Sequence, residues 1–148
     1  MKNFNIYNIN SSYISQLIKL ERNCFSNPWS YKAFDESFKN TNYSFFAAIN
    51  YDNIVIGYIG LYKIIDQGYI TNIAVDKHFR NIGVASKLLK STITYAKNNN
   101  IKFLSLEVRA SNTSAINLYR KFNFSLVGLR KNFYTNPNEN AYIFTLYL

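Results

Sequence analysis

The 148-residue chain carries 17 Lys and Arg against 8 Asp and Glu, a formal charge of +9, and 48% of its residues are apolar. That length and apolar content suit one domain spanning 1–148 around a single sizeable core. Cys24 is the only cysteine, which excludes an intrachain disulfide and a Cys-rich metal cage, and no run nears the ~18 apolar residues of a membrane span. A cytoplasmic protein with no metal and no membrane association is expected.

In chain order, Ser11 or Ser12 can cap a helix whose apolar residues Ile14, Leu17, Ile18 and Phe25 fall near helical spacing. Glu21 and Arg22 are expected to point outward. Pro28 stops this helix, and Ser26-Asn27-Pro28-Trp29-Ser30 reads as a loop. Ser30 then caps a second, short helix with Tyr31, Phe34 and Phe38 on one side.

From Tyr43 the pattern turns to β-branched and aromatic runs, Tyr43 to Ile49, Ile54 to Lys63 and Tyr69 to Val75, separated by turn residues. Three antiparallel strands are expected. Gly83 to Asn98 returns to helical spacing, with Ala85, Leu88, Leu89, Thr92 and Ala96 inward and Lys87, Lys90 and Lys97 outward. A strand from Phe103 to Val108, a helix from Thr113 to Phe122, and strands from Phe124 to Leu129 and Ala141 to Leu148 complete the chain. The strand from Tyr69, the helix from Gly83 and the strand from Phe103 form a βαβ unit, so one parallel pair must sit inside an otherwise antiparallel sheet.

Between Val75 and Gly83 lies Asp76-Lys77-His78-Phe79-Arg80-Asn81-Ile82. A helix N-terminus exposes unpaired N–H groups and partial positive charge, which suits an anion. Gly83 lets a diphosphate approach the main chain, Arg80 adds a full charge, and small Ala85 keeps the next turn open. The loop lacks the glycine spacing of the triphosphate and dinucleotide loops. Taken alone, an Arg-x-x-Gly-x-Ala turn is more often a plain strand-to-helix connection.

The context of that loop resembles the GCN5-related N-acetyltransferase family. Its cofactor pattern, Gln/Arg-x-x-Gly-x-Gly/Ala after a strand, is matched by Arg80, Gly83 and Ala85 following Thr71-Asn72-Ile73-Ala74-Val75. The block Leu106-Glu107-Val108-Arg109-Ala110-Ser111-Asn112, with Tyr119 beyond it, is similar to the RimI branch of the family, the alanine N-acetyltransferases of the eighteenth small-subunit ribosomal protein. Pro28-Trp29-Ser30 extends the likeness nearly to the start of the chain.

The resemblance implies a mixed α/β fold with helices on both faces of a mostly antiparallel sheet, and acetyl-coenzyme A as cosubstrate. The pantetheine arm would pair with Ile73, Ala74 and Val75. The diphosphate would rest on the amides of Asn81, Ile82, Gly83, Val84, Ala85 and Ser86 beside Arg80, and Asn112 would contact the arm. It also implies Glu107 as general base, directly or through water, and Tyr119 as general acid. The residues alone leave both open, since Glu107 could simply pair with an arginine and Tyr119 could be a core aromatic.

For the acceptor, two aromatic segments could enclose a peptide end: Phe25 to Tyr31, including Trp29, and Lys131 to Asn140, including Tyr134 and Glu139. Asn140 replaces an acidic residue usual in the family, and Asn123 stands where Gly is common. An α-amine, with pKa ~7.7–8.0, is already partly neutral at pH 7, whereas lysine at ~10.4 is almost wholly charged. A protein N-terminus, that of a small-subunit ribosomal protein in particular, is therefore the expected partner, with no direct nucleic-acid binding required. A lysine or small-amine acceptor and a non-catalytic coenzyme-binding module are the alternatives. The charge of +9 suits anionic partners but identifies none. His78 is expected at the surface, and Cys24 is read as packing rather than as an acetyl carrier.

Overall fold

The computed structural model describes residues 3–148. Strand β1 (Phe4–Asn8) leads through a 3₁₀ turn (Ser11–Tyr13) into α1 (Ile14–Cys24) and α2 (Tyr31–Lys39). Then follow β2 (Tyr43–Asn50), β3 (Val55–Ile64), β4 (Gln67–Val75), α3 (Val84–Asn98), β5 (Phe103–Arg109), α4 (Thr113–Lys121), β6 (Ser125–Tyr134) and β7 (Glu139–Tyr147). They build one seven-stranded sheet in the order β1-β2-β3-β4-β5-β7-β6, antiparallel except for the β4–β5 pair. The mixed sheet with an internal parallel pair is as expected from the sequence.

Alternation along the strands divides the core between the two faces of the sheet. Phe45 and Ala47 of β2 and Tyr58 of β3 pack with Leu17 and Leu20 of α1 and Phe34 of α2. On the opposite face, Phe46, Ile56, Ile59, Leu104 and Leu106 pack with Leu88, Leu89 and Ala96 of α3 and Tyr119 of α4. Leu88 and Leu89 are fully buried, and each contributes about 1.5–3 kcal/mol to docking α3 on the sheet.

The parallel pair is short. Residues Gln67–Tyr69 pair with Phe103–Ser105, yet β4 continues to Val75 and β5 to Arg109, so the strands part beyond Tyr69. A bulge accompanies the parting: the β3–β4 register passes from Leu61↔Ile70 to Gly60↔Asn72, leaving Thr71 as an extra residue that bends β4. Gly60 makes room for it. A Cβ there would meet Thr71 Oγ1 at 2.7 Å, Asn72 Oδ1 at 2.9 Å and the Phe45 ring at 3.0 Å. Gly60→Ala is therefore expected to destabilise the fold by about 1–3 kcal/mol, seen as a lower urea midpoint with an unchanged m value.

Several expectations are corrected. β1 was not expected, although Phe4-Asn5-Ile6 alternates and pairs along β2 through Phe4↔Asn50 to Asn8↔Phe46. The 3₁₀ turn is capped by Asn10, whose side chain accepts from Ser12 N, rather than by a serine. Glu21 is not outward but buried at 1% exposure. Phe25 lies past the end of α1 and is 40% exposed, and Tyr31 at the start of α2 is 58% exposed. The closing hairpin extends further than predicted, because β6 and β7 continue through the segment read as a loop to the pair Tyr134↔Glu139.

Candidate active site

Where β4 and β5 part, a cleft of about 520 Å³ opens, and it is walled by four parts of the chain. Residues 70–73 of β4 form one side and 106–109 of β5 the other. The loop holding Phe25 and Trp29 and the β6–β7 hairpin with Tyr134 and Glu139 rise over it, while Asn112 and Tyr119 close its far end.

Glu107 and Tyr119 reach this cleft from opposite faces of the sheet. Leu106 and Val108 sit in the core beneath α3 and α4, so Glu107, on the alternate face of β5, points the other way. Its carboxylate Oε2 lies 3.3 Å from Arg130 Nε, and its side chain is 32% exposed. Glu107 therefore remains partly open to solvent, on a face of β5 that it shares with Phe103, Ser105 and Arg109. Tyr119 is 3% exposed and packs at 5.8 Å from the Phe124 ring. No fully buried side-chain polar atom among the described residues lacks a partner, so the Tyr119 hydroxyl, which makes no hydrogen bond to the described residues, opens on the cleft. Burial raises its phenol above the ordinary tyrosine range, aided by Tyr134, so it stays protonated.

Along the cleft's β4 wall the backbone is only half used. Asp76 N donates to Ile56 O at 2.8 Å, which turns the polar groups of residues 76 and 74 toward β3. Those of Ile73 and Val75 consequently face the side that β5 has vacated. Val75 O there accepts from Arg80 Nε at 3.1 Å and from Cys24 Sγ at 3.5 Å. Arg80 thus folds back onto the strand end and also lies 3.8 Å from the Cys24 sulfur. Cys24 is half-buried, and desolvation raises its thiol pKa despite Arg80.

Beyond Val75 the chain reaches α3 through a loop in which Asn81 and Gly83 both have left-handed backbone, with φ of 63° and 88°. Gly83 supplies no side-chain cap and has no heavy atom within 4 Å of where a Cβ would stand. The first N–H groups of α3 are therefore open to an anion. Val84 contributes only its main chain here, since its side chain is 2% exposed in the core. His78 is exposed. Asn123, standing where Gly is common in the family, takes the left-handed conformation with φ 70° that Asn tolerates.

The hairpin over the cleft is tethered by Arg109 and Glu139. Arg109 donates to Thr135 O at 3.1 Å and to Pro137 O at 3.0 Å, approaches Glu139 Oε1 at 3.3 Å, and lies 4.5 Å from the Tyr134 ring centre. Ser111 N donates to Glu139 Oε2 at 2.7 Å. Asn27 bridges to the hairpin through Thr135 O and Oγ1, both at 3.1 Å. Burial pushes the Tyr134 phenol up to about 12. Asn140 has a structural task, accepting from Asn132 N at 2.9 Å.

The hydrogen bonds from Ser111, followed by Arg109, hold the Glu139 carboxyl below the usual carboxylate range. A depressed folded-state pKa contributes stability above the unfolded value of ~4.3 that is lost as pH falls through the lowered value. The protection factor of the Ser111 amide, its exchange relative to an unstructured peptide at the same pH, should therefore fall on acidification through that range, and Glu139→Gln should remove that pH dependence of protection.

Of the residues singled out from sequence, Glu107, Tyr119, Asn112, Ile73, Phe25, Trp29, Tyr134 and Glu139 line one cleft, while Tyr31 does not. Arg80 and residues 81–86 continue the wall past Val75. Glu21, Asn27, Thr71, Asn72, Arg109 and Ser111 also line it and were not foreseen as site residues. Arg109 had a signal, since it shares the face of Glu107. Among the described residues no three His, Cys, Asp or Glu side chains gather as a metal site, and no helix is long and apolar enough to cross a membrane.

The sheet thus opens at its parallel pair, beside a helix start that has no side-chain cap. Residues 14–124 match the acetyltransferase (GNAT) family, and the chain belongs to it. It is 35% identical over 137 residues to the ribosomal protein bS18-alanine N-acetyltransferase of Haemophilus ducreyi, covering 90% of this chain and 93% of that protein. With the N-alpha-acetyltransferase of Saccharolobus solfataricus it shares 34% over 155 residues, 96% of this chain and 92% of the other. The crystal structure of the Escherichia coli ribosomal-protein-S18-alanine N-acetyltransferase superposes with a TM-score of 0.91 at 27% identity, covering 98% of this chain and 94% of that one.

Proposed function

We propose that this protein transfers the acetyl group of acetyl-coenzyme A to the α-amino group of a protein N-terminus in the cytoplasm, its acceptor being the N-terminal alanine of ribosomal protein bS18. The observation that carries the reading is the opening in the sheet attended by Glu107 from one face and Tyr119 from the other. Full-length similarity to N-terminal acetyltransferases supports the choice of acceptor.

The residues present fit the cosubstrate. Ile73 offers an outward-turned amide and carbonyl and Val75 an outward-turned amide to the amide-bearing arm, the open start of α3 would take the diphosphate, and Asn112 lines the same cleft. When bound, acetyl-coenzyme A supplies its acetyl group as an activated thioester. Glu107 takes a proton from the acceptor amine, directly or through water, as the nitrogen bonds to the acetyl carbon. Tyr119 gives its hydroxyl proton to the sulfur as the carbon–sulfur bond breaks, and the opposed approaches of the two groups keep these transfers apart. Phe25, Trp29, Tyr134 and Glu139 flank the route of the acceptor chain.

Mass spectrometry of peptides incubated with acetyl-coenzyme A tests the acceptor. An Ala-starting peptide with the bS18 N-terminal sequence should gain one acetyl group, and the same peptide N-terminally blocked but carrying lysine should gain none. Acetylation of only the blocked peptide would overturn the reading.

A further inference from the structure

One buried ionisable group of the cleft wall has no part in this chemistry. Glu21 lies on α1 at 1% exposure, and its two carboxylate oxygens are each engaged. Oε1 accepts from Trp29 N at 2.8 Å, and Oε2 accepts from the Tyr58 hydroxyl at 2.5 Å. The Asn72 side chain is a further hydrogen-bond partner. Asn72 Oδ1 in turn accepts from Thr71 Oγ1 at 2.6 Å. Burial raises the carboxyl pKa of Glu21, and the donors Trp29, Tyr58 and Asn72 oppose the rise.

These contacts run in one line. They start at the main chain of the Phe25–Trp29 loop, pass through Glu21 to β3 at Tyr58, and end at the bulge where β4 leaves β5. The loop, which Asn27 also ties to the β6–β7 hairpin, is thereby set in register with β4. Trp29 is held from its other side by rings alone, Phe34 at 5.2 Å and Tyr43 at 6.4 Å. Its backbone anchor to the cleft wall is the Glu21 carboxylate. Charge-assisted hydrogen bonds of this kind are about twice as strong as neutral ones, so amidation of Glu21 weakens the anchor while keeping its shape.

We propose that Glu21 is a positioning residue for acceptor binding, acting through Trp29 by fixing the Phe25–Trp29 loop against the bulge of β4. This rests on the reading of that loop as the acceptor side of the cleft. Trp29 is the only tryptophan of the chain, so its emission reports the loop without any substrate present.

Glu21→Gln and Tyr58→Phe each break one arm of the line. In folded protein, each should shift Trp29 emission to longer wavelength and make it more open to acrylamide quenching. Each should also raise the peptide KM about tenfold, the expected consequence of weakening a charged hydrogen bond, while kcat and acetyl-coenzyme A affinity stay within about twofold. The double variant should lose less than the product of the two. An unchanged peptide KM in folded variants, or equal losses toward donor and acceptor, would overturn the proposal. So would failure of both variants to fold, which would make Glu21 a core residue only. If the wild type acetylates no peptide, the acceptor reading fails, while the emission result still decides whether Glu21 holds the loop.

Discussion

Tyr119→Phe should lower kcat by about a hundredfold or more while leaving acetyl-coenzyme A affinity within about twofold, the signature of a group that acts as the sulfur leaves. The removed atom is small and its surroundings favour the substitution. The ring is packed against Phe124 and Phe144, and the hydroxyl makes no hydrogen bond to the described residues, so phenylalanine leaves no buried partner among them unsatisfied. Stability should rise slightly or stay level in a urea titration. A variant that turns over at the wild-type rate would remove Tyr119 from the reaction.

Glu107→Gln should lower kcat/KM by about tenfold to a hundredfold near neutral pH, with the loss shrinking as the acceptor amine, of pKa ~7.7–8.0, becomes neutral unaided. The Arg130 guanidinium lies 3.3 Å from the carboxylate, and the half-open position lets water stand between it and the amine. A pH–rate series on the variant separates two roles. A loss that fades toward pH ~9 marks a proton acceptor, and a constant loss marks a group that only orients the amine.

Much of this arrangement could be read from the residues. Runs of β-branched and aromatic residues between turn residues located β2 to β4, the 3.6-residue period located α3, and Gly83 and Asn123 are two of the positions with left-handed backbone. The βαβ connection forced the parallel pair and with it the cleft. Glu21 shows where such reading fails. Its charge argued for solvent, yet Ile14, Leu17 and Glu21 stand at i, i+3 and i+7, so spacing placed it on the buried stripe. Only the fold brings Tyr58 and the Trp29 amide to meet it, 37 and 8 residues away along the chain.

The exposure of Glu107 was not legible in its apolar strand either, because the burial of a strand is a property of each face and not of the run. Apolar Leu104, Leu106 and Val108 describe the face beneath α3 and α4, and say nothing of the face that carries Glu107. The Thr71 bulge and the Asn27–Thr135 bridge were equally out of reach. A bulge depends on the register against β3, and the bridge joins residues 108 positions apart. Neither leaves a periodic trace.

The central claim is that the vacated edge of β4 and the open start of α3 receive the acyl donor. Amide hydrogen exchange with and without acetyl-coenzyme A tests it most directly. Protection should appear at Ile73, Val75 and the amides of residues 81–86, with the β6–β7 hairpin little changed until a peptide is added. Saturating acetyl-coenzyme A that leaves those amides exchanging as in the free protein, or that protects a different surface, would contradict it.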